Sequence, residues 1–210
     1  MKQSRILHRT ALLAALLSGA TLLSACAPLI IGGAMAGTAL IALDRRTSGT
    51  QVEDQAIELK AVSRVREAVG DRGHINVTSY NKLALISGEV ANEADKAAVE
   101  QAVARIENVR SIVNELAITA PAALTSRSND SFLTSKVKAS FVDAKDLQAN
   151  AFKVVTERGI VYLMGRVTER EAGRAADVAR GVSGVQKVVR VFEVISEAEL
   201  ADMQPKQVQK

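Results

Sequence analysis

The chain has no tryptophan, only two tyrosines and four phenylalanines, a single cysteine, two histidines and three prolines in 210 residues. Each shortage excludes something. One cysteine forbids an internal disulfide. So few aromatics mean that any core is aliphatic, and they leave no stacking platform for single-stranded nucleic acid. His8 lies near the amino terminus, so His74 is the only histidine of the body of the chain, and it reads as a loop residue ahead of a strand. Without a second histidine or a free cysteine there is no ordinary zinc set. There is no G-x-S-x-G nucleophile motif and no glycine-rich phosphate loop. These absences predict a protein that is not an enzyme, with no cofactor, no metal, no small-molecule substrate and no nucleic acid partner.

What is present begins at the amino terminus. Lys2, Arg5 and Arg9 precede an apolar segment from Ala11 to Leu23, and small residues lead to Cys26. A positive start, a short apolar run and small residues before a cut have the form of a secretory signal peptide. Leu23-Ser24-Ala25-Cys26 resembles a bacterial lipobox. That resemblance implies cleavage after residue 25, diacylglycerol on the Cys26 sulfur and acylation of the new amino terminus. The formal charge of +4, less these three cations, leaves +1, so the high pI belongs to the targeting segment. At roughly 0.8 kcal/mol per buried methylene, one acyl chain binds marginally and two anchor durably.

Ala27 to Leu43 is apolar but carries Pro28, Gly32, Gly33 and Gly37, and it reads as a membrane-proximal tether. Asp44-Arg45-Arg46 ends it, with headgroup contact and a loop role both open. Ala27, in place of aspartate after the lipidated cysteine, implies export to the outer membrane in a proteobacterial host.

The rest of the chain is written twice. Ile75–Val90 aligns without gaps on Phe152–Val167, with Gly88 opposite Gly165 and Val90 opposite Val167, a separation of 77 positions. Apolar residues two apart, broken by Tyr80-Asn81-Lys82 or Glu157-Arg158-Gly159, predict two β-hairpins. The paired glycines predict close backbone approach. An alanine-rich charged helix follows each hairpin, over 93–106 and 169–180, then a turn at Asn108 or Gly184, then a third strand, over 109–118 and 185–195. A further helix precedes each hairpin, over 55–69 and 131–143, the second capped by Asn129-Asp130-Ser131. The surface carboxylates, Glu93 and Asp95 near Lys96 and Glu169 and Glu171 near Arg174, read as solvated helix faces.

The unit is α-β-β-α-β, and V-x-G-V-x-x-V-V at Val182–Val189 makes it resemble the BON domain of bacterial envelope proteins. The lipobox, the stretch 44–55, the segment 75–81 and Tyr162–Ala172 extend the likeness to dual BON-domain outer-membrane lipoproteins. The fold class is then α+β: two tandem modules, each a three-stranded mixed sheet packed by two helices. The expected organisation is a signal peptide over 1–25, a lipidated tether over 26–50, and modules over 51–120 and 130–196. A linker over 121–129 and a flexible tail over 197–210 complete it.

The resemblance implies a lipid-anchored protein facing the periplasm and supporting envelope integrity, in some members at the division site. It also implies binding of anionic, phosphatidylglycerol-type membrane through the first helix of the second module. There Leu133, Val137 and Phe141 recur every four residues as a core stripe, Phe132 lies about 100° around, and Lys136 is one turn beyond Phe132. Phe132, Leu133, Lys136 and Lys138 are the candidate phospholipid-binding residues. The other reading seats Phe132 at a core edge or module contact, and makes the chain an adaptor for another envelope protein.

Overall fold

Glycine positions and turn residues decide how each repeat folds. The computed structural model describes residues 44–203; Cys26 and the stretch 27–43 lie outside them. Helix α1 (Ser48–Val69) leads into strand β1 (Gly73–Tyr80), β2 (Leu83–Val90), helix α2 (Glu93–Ala104), β3 (Ser111–Asn114) and β4 (Ala117–Ile118). The second repeat runs α3 (Leu124–Asp143), a 3₁₀ turn at Ala149–Ala151, β5 (Lys153–Glu157), β6 (Ile160–Val167), α4 (Glu169–Arg180) and β7 (Lys187–Val194), followed by α5 (Glu197–Met203). In each, the hairpin is antiparallel and the last strand lies parallel to the second, so the third strand returns by a helical crossover.

Both hairpins turn on two residues of positive φ, Asn81 (51°) and Lys82 (67°) in one and Arg158 (55°) and Gly159 (72°) in the other. This is the type I′ pattern, whose twist matches that of the strands. A Cβ on Gly88 would stand 2.0 Å from the His74 carbonyl oxygen, and one on Gly165 2.5 Å from that of Ala151, so the paired glycines admit close backbone contact. Asn108 (φ 70°) and Gly184 (φ 104°) occupy the expected turns.

Alternation then assigns two faces to each sheet. Ala84, Ile86 and Val90 pack with Ile57, Val65, Val99 and Val103 from the helices. Val161, Leu163 and Val167 do the same with Leu133, Val137, Phe141 and the α4 alanines. The intervening residues Leu85, Tyr162 and Met164 join Tyr80 and Val191 in a third cluster. The two sheets therefore face each other and the helices lie outside. With both faces covered, β2 and β6 are buried almost throughout. Polar contacts rim the contact: Lys153 donates to Glu58 (2.7 Å) and to the Ser79 carbonyl (3.1 Å), and Asn81 donates to Glu193.

Several expectations are corrected. The segment read as a linker is helical from Leu124, because α3 begins seven residues before the expected start at Ser131. Asp130 is consequently inside the helix, buried, and accepts from the amides of Arg158 and Gly159 (2.8 Å each) instead of capping a helix. The third strand of the first repeat is broken at Glu115-Leu116 into β3 and β4. The stretch read as the start of a flexible tail is helical over Glu197–Met203: α5 buries Leu200, and Arg166 bonds Glu199 at 2.8 Å.

Candidate functional site

Helix α3 has two unlike sides. Leu133, Val137 and Phe141 are at most 3% exposed, and Phe141 meets Phe152 edge-on at 5.1 Å. Leu133 thus belongs wholly to the core, and its place among the membrane-contacting candidates is withdrawn: a side chain wedged against β5, β6 and α4 has no surface to offer. The opposite side carries Leu124, Phe132 and Val142, which are 77%, 65% and 71% exposed. At about 100° per residue these three fall within a quarter turn. Lys136 Nζ stands 5.9 Å from the Phe132 ring centroid and also donates to the Ser183 carbonyl (2.5 Å), which holds the ammonium at the apolar stripe. Lys138 is exposed and lines a cleft with Val142, Asp44, Arg46 and Tyr80.

That cleft also places the start of the described chain. Arg45 makes a two-pronged pair with Glu171 (2.7 Å to each oxygen) and donates to the Arg166 carbonyl (2.8 Å). Its side chain is 5% exposed and that of Glu171 6%. Arg46 bonds Asp44 (2.7 Å) and Asp54 (2.8 Å), and its guanidinium lies 4.2 Å over the Tyr80 ring. Burial, followed by the charge of Asp44, pushes the Tyr80 hydroxyl up to about 12. Arg45 and Arg46 are therefore structural clamps and not headgroup contacts. Arg45 thereby ties the start of the described chain to the second module, and Arg46 ties it to the first.

The helix-face carboxylates are corrected likewise. Asp95 is 5% exposed; its backbone amide donates to the capping Asn92 side chain (2.8 Å), and its carboxylate accepts from the Asn92 side-chain amide (3.1 Å) and from Arg72 (2.8 Å). Glu171 closes a capping box with Thr168 while holding Arg45. Burial by itself would raise the Glu171 carboxyl, but the Arg45 and Thr168 hydrogen bonds outweigh it and hold the group below its ordinary 4.5.

His74 is not in a loop. It sits in β1 directly opposite Glu89 in β2, on the sheet face toward the second module, and Glu157 of β5 approaches from that module. Burial, ahead of any other influence, raises the Glu157 carboxyl; the Asn76 hydrogen bond opposes this and the charge of Glu89 adds to it. No sequence signal joined these three residues, which lie on different strands of two modules. Among the described residues no helix is long and apolar enough to cross a membrane.

Known proteins match this arrangement. The BON-domain family profile fits residues 53–120 and again 129–196. The chain is 38% identical to "Outer membrane lipoprotein DolP" of Haemophilus influenzae over 86% of its own length and 95% of that protein's. It is 30% identical to "21 kDa hemolysin" of Actinobacillus pleuropneumoniae, covering 73% of this chain and 80% of that one. "Osmotically-inducible protein Y" of Escherichia coli is 26% identical, with 67% and 72% covered.

Proposed function

Since the chain belongs to the family of dual BON-domain outer-membrane lipoproteins, we propose that Cys26 carries its lipid anchor and that α3 of the second module docks on anionic phospholipid. The work is binding, with no bond chemistry. The observation that carries the reading is Phe132, exposed on the side of α3 away from the core with the Lys136 ammonium beside its ring. An aromatic ring can insert at headgroup level while the ammonium meets phosphate. The Arg45 and Arg46 strap strengthens it. Asp44 lines the same cleft as Lys138 and Val142, so an anchor upstream in the same chain would raise the effective concentration of bilayer near this helix.

The test uses the chain from Asp44 onward, mixed with phosphatidylglycerol vesicles and with neutral vesicles. Salt-sensitive binding to the anionic vesicles alone is expected. Phe132→Glu and Lys136→Glu are each expected to weaken it about tenfold, given roughly 1 kcal/mol per basic residue near an anionic surface and a repulsive charge in its place. Lys138→Glu is expected to have a similar effect. No binding by a folded chain rejects membrane docking.

The adaptor reading keeps one observation of its own. Val52, Leu59 and Val62 on α1 are 66%, 75% and 70% exposed, and Leu59 and Val62 border a groove beside edge strand β1 with Ile75 and Val77. If vesicles are ignored, this groove is the surface for an envelope protein partner.

A further inference from the structure

We propose that His74, Glu89 and Glu157 form a divalent-metal site of the zinc class that bridges the two modules. The sequence offers no recognisable metal set, yet the structure brings one imidazole and two carboxylates together. His74 Nδ1 lies 3.6 Å from a Glu89 oxygen and 4.0 Å from a Glu157 oxygen, and one ligand atom from each residue lies within 4.8 Å of the others. Ligands held about 2.0–2.2 Å from a tetrahedral ion stand roughly 3.4 Å apart, so the first two separations need only a small contraction.

The independent sign of a missing cation is Glu89. Its side chain is 0% exposed, and neither of its oxygens has a hydrogen-bond partner among the described residues. His74 Nδ1 is buried and unpartnered too. A carboxylate sealed between two sheets with no donor demands a compensating positive charge. The nearby charged and polar groups do not supply one. Asn76 is neutral and donates to the other Glu157 oxygen at 3.0 Å, which orients that carboxylate and leaves Oε1 toward His74. Lys153, on the same strand as Glu157, is engaged with Glu58 and the Ser79 carbonyl.

One imidazole and two carboxylate oxygens are a borderline-hard donor set that suits zinc and its divalent neighbours, with a water completing four-coordination. The His74 side chain is 26% exposed, which provides a way in for the ion. Two ligands come from the first module and one from the second, so the ion acts as a removable clasp on the sheet-to-sheet contact.

The experiment takes the full-length protein in detergent micelles, stripped with a chelator and dialysed against zinc chloride alone. One tightly held zinc per chain is expected by elemental analysis. A rise in Tm of about 5–10 °C is expected when free zinc is a hundredfold above its Kd. Glu89→Gln keeps the shape and removes the charge. It is expected to abolish the bound zinc and the zinc-dependent rise while melting at or above the metal-free wild type. His74→Ala, at a partly exposed position, gives a second reading should Glu89→Gln fail to fold. Failure of the wild type to retain stoichiometric zinc overturns the proposal. Equal zinc retention by wild type and His74→Ala also overturns it, as binding elsewhere on the surface.

Discussion

Asp54→Ala is expected to lower stability by about 3–5 kcal/mol, the range for stripping one partner from a buried charged network, and Tm by on the order of 10 °C. Asp54 is 2% exposed, and its two oxygens serve four donors: the Ser79 hydroxyl (2.7 Å), the Asn81 and Lys82 amides (2.8 Å each) and the Arg46 guanidinium (2.8 Å). The two amides belong to the hairpin turn whose residues both have positive φ. Alanine would leave those amides and the hydroxyl without an acceptor and the Arg46 guanidinium with Asp44 alone. Asp130 does the same for the second hairpin with two amides only, so Asp130→Ala is expected to cost less, about 1–3 kcal/mol. Equal losses at the two positions in thermal melts would show that the arginine and hydroxyl add nothing.

The pH dependence follows from the same bonds. Burial would raise the Asp54 carboxyl, but Ser79, the Lys82 amide, Arg46 and the Asn81 amide together hold it below its ordinary 3.8. A carboxyl depressed on folding contributes stability that is complete above its unfolded pKa and is lost as pH falls through the folded one. Below about pH 4.5, the ordinary value of Glu171, the wild type should lose the stability contributed by Asp54 and Glu171, while Glu157, whose carboxyl is raised on folding, acts in the opposite direction. Asp54→Ala should flatten the most acidic part of that fall.

Glu171→Ala should be comparably severe, about 3–5 kcal/mol, because it leaves the Arg45 guanidinium in a site that is 5% exposed. The capping box at Thr168 is lost as well. Arg45→Ala combined with Glu171→Ala should recover part of the deficit, and the cycle of single and double variants measures the pair itself. A second readout is independent of global stability. With the strap loosened, trypsin should cut after Arg45 or Arg46 faster than in the wild type, while sites within α1 stay protected. Unchanged cleavage with a lowered Tm would mean that Glu171 acts only through the helix cap.

Local periodicity carried a good deal of this protein. The period-two hairpins with their turn residues and the stripe of Leu133, Val137 and Phe141 follow from spacing within a dozen or so residues, and the repeat follows from setting the chain against itself at an offset of 77. The tight backbone approach at Gly88 and Gly165 was also legible, because only glycine tolerates a carbonyl where Cβ would stand. Phe132 and Lys136 could be placed on one flank because a helix puts residues four apart together.

What failed was the reading of charge. Asp95 and Glu171 sit at spacings that look solvated, and a helix pattern says nothing about an arginine arriving from 23 or 126 residues away. Asp130 looked like a helix cap because its own neighbours suit one. Its true partners are turn amides 28 and 29 residues on.

The sequence by itself determined the doubled α-β-β-α-β plan and the family, since each rests on residues adjacent or regularly spaced along the chain. Only the tertiary structure decided that the two sheets bury their free faces against each other, that Arg45 straps the start of the fold to the second module, and that His74 meets Glu89 and Glu157. Those outcomes depend on strands from distant repeats coming within a side chain's reach, and contacts of that kind leave no period to read.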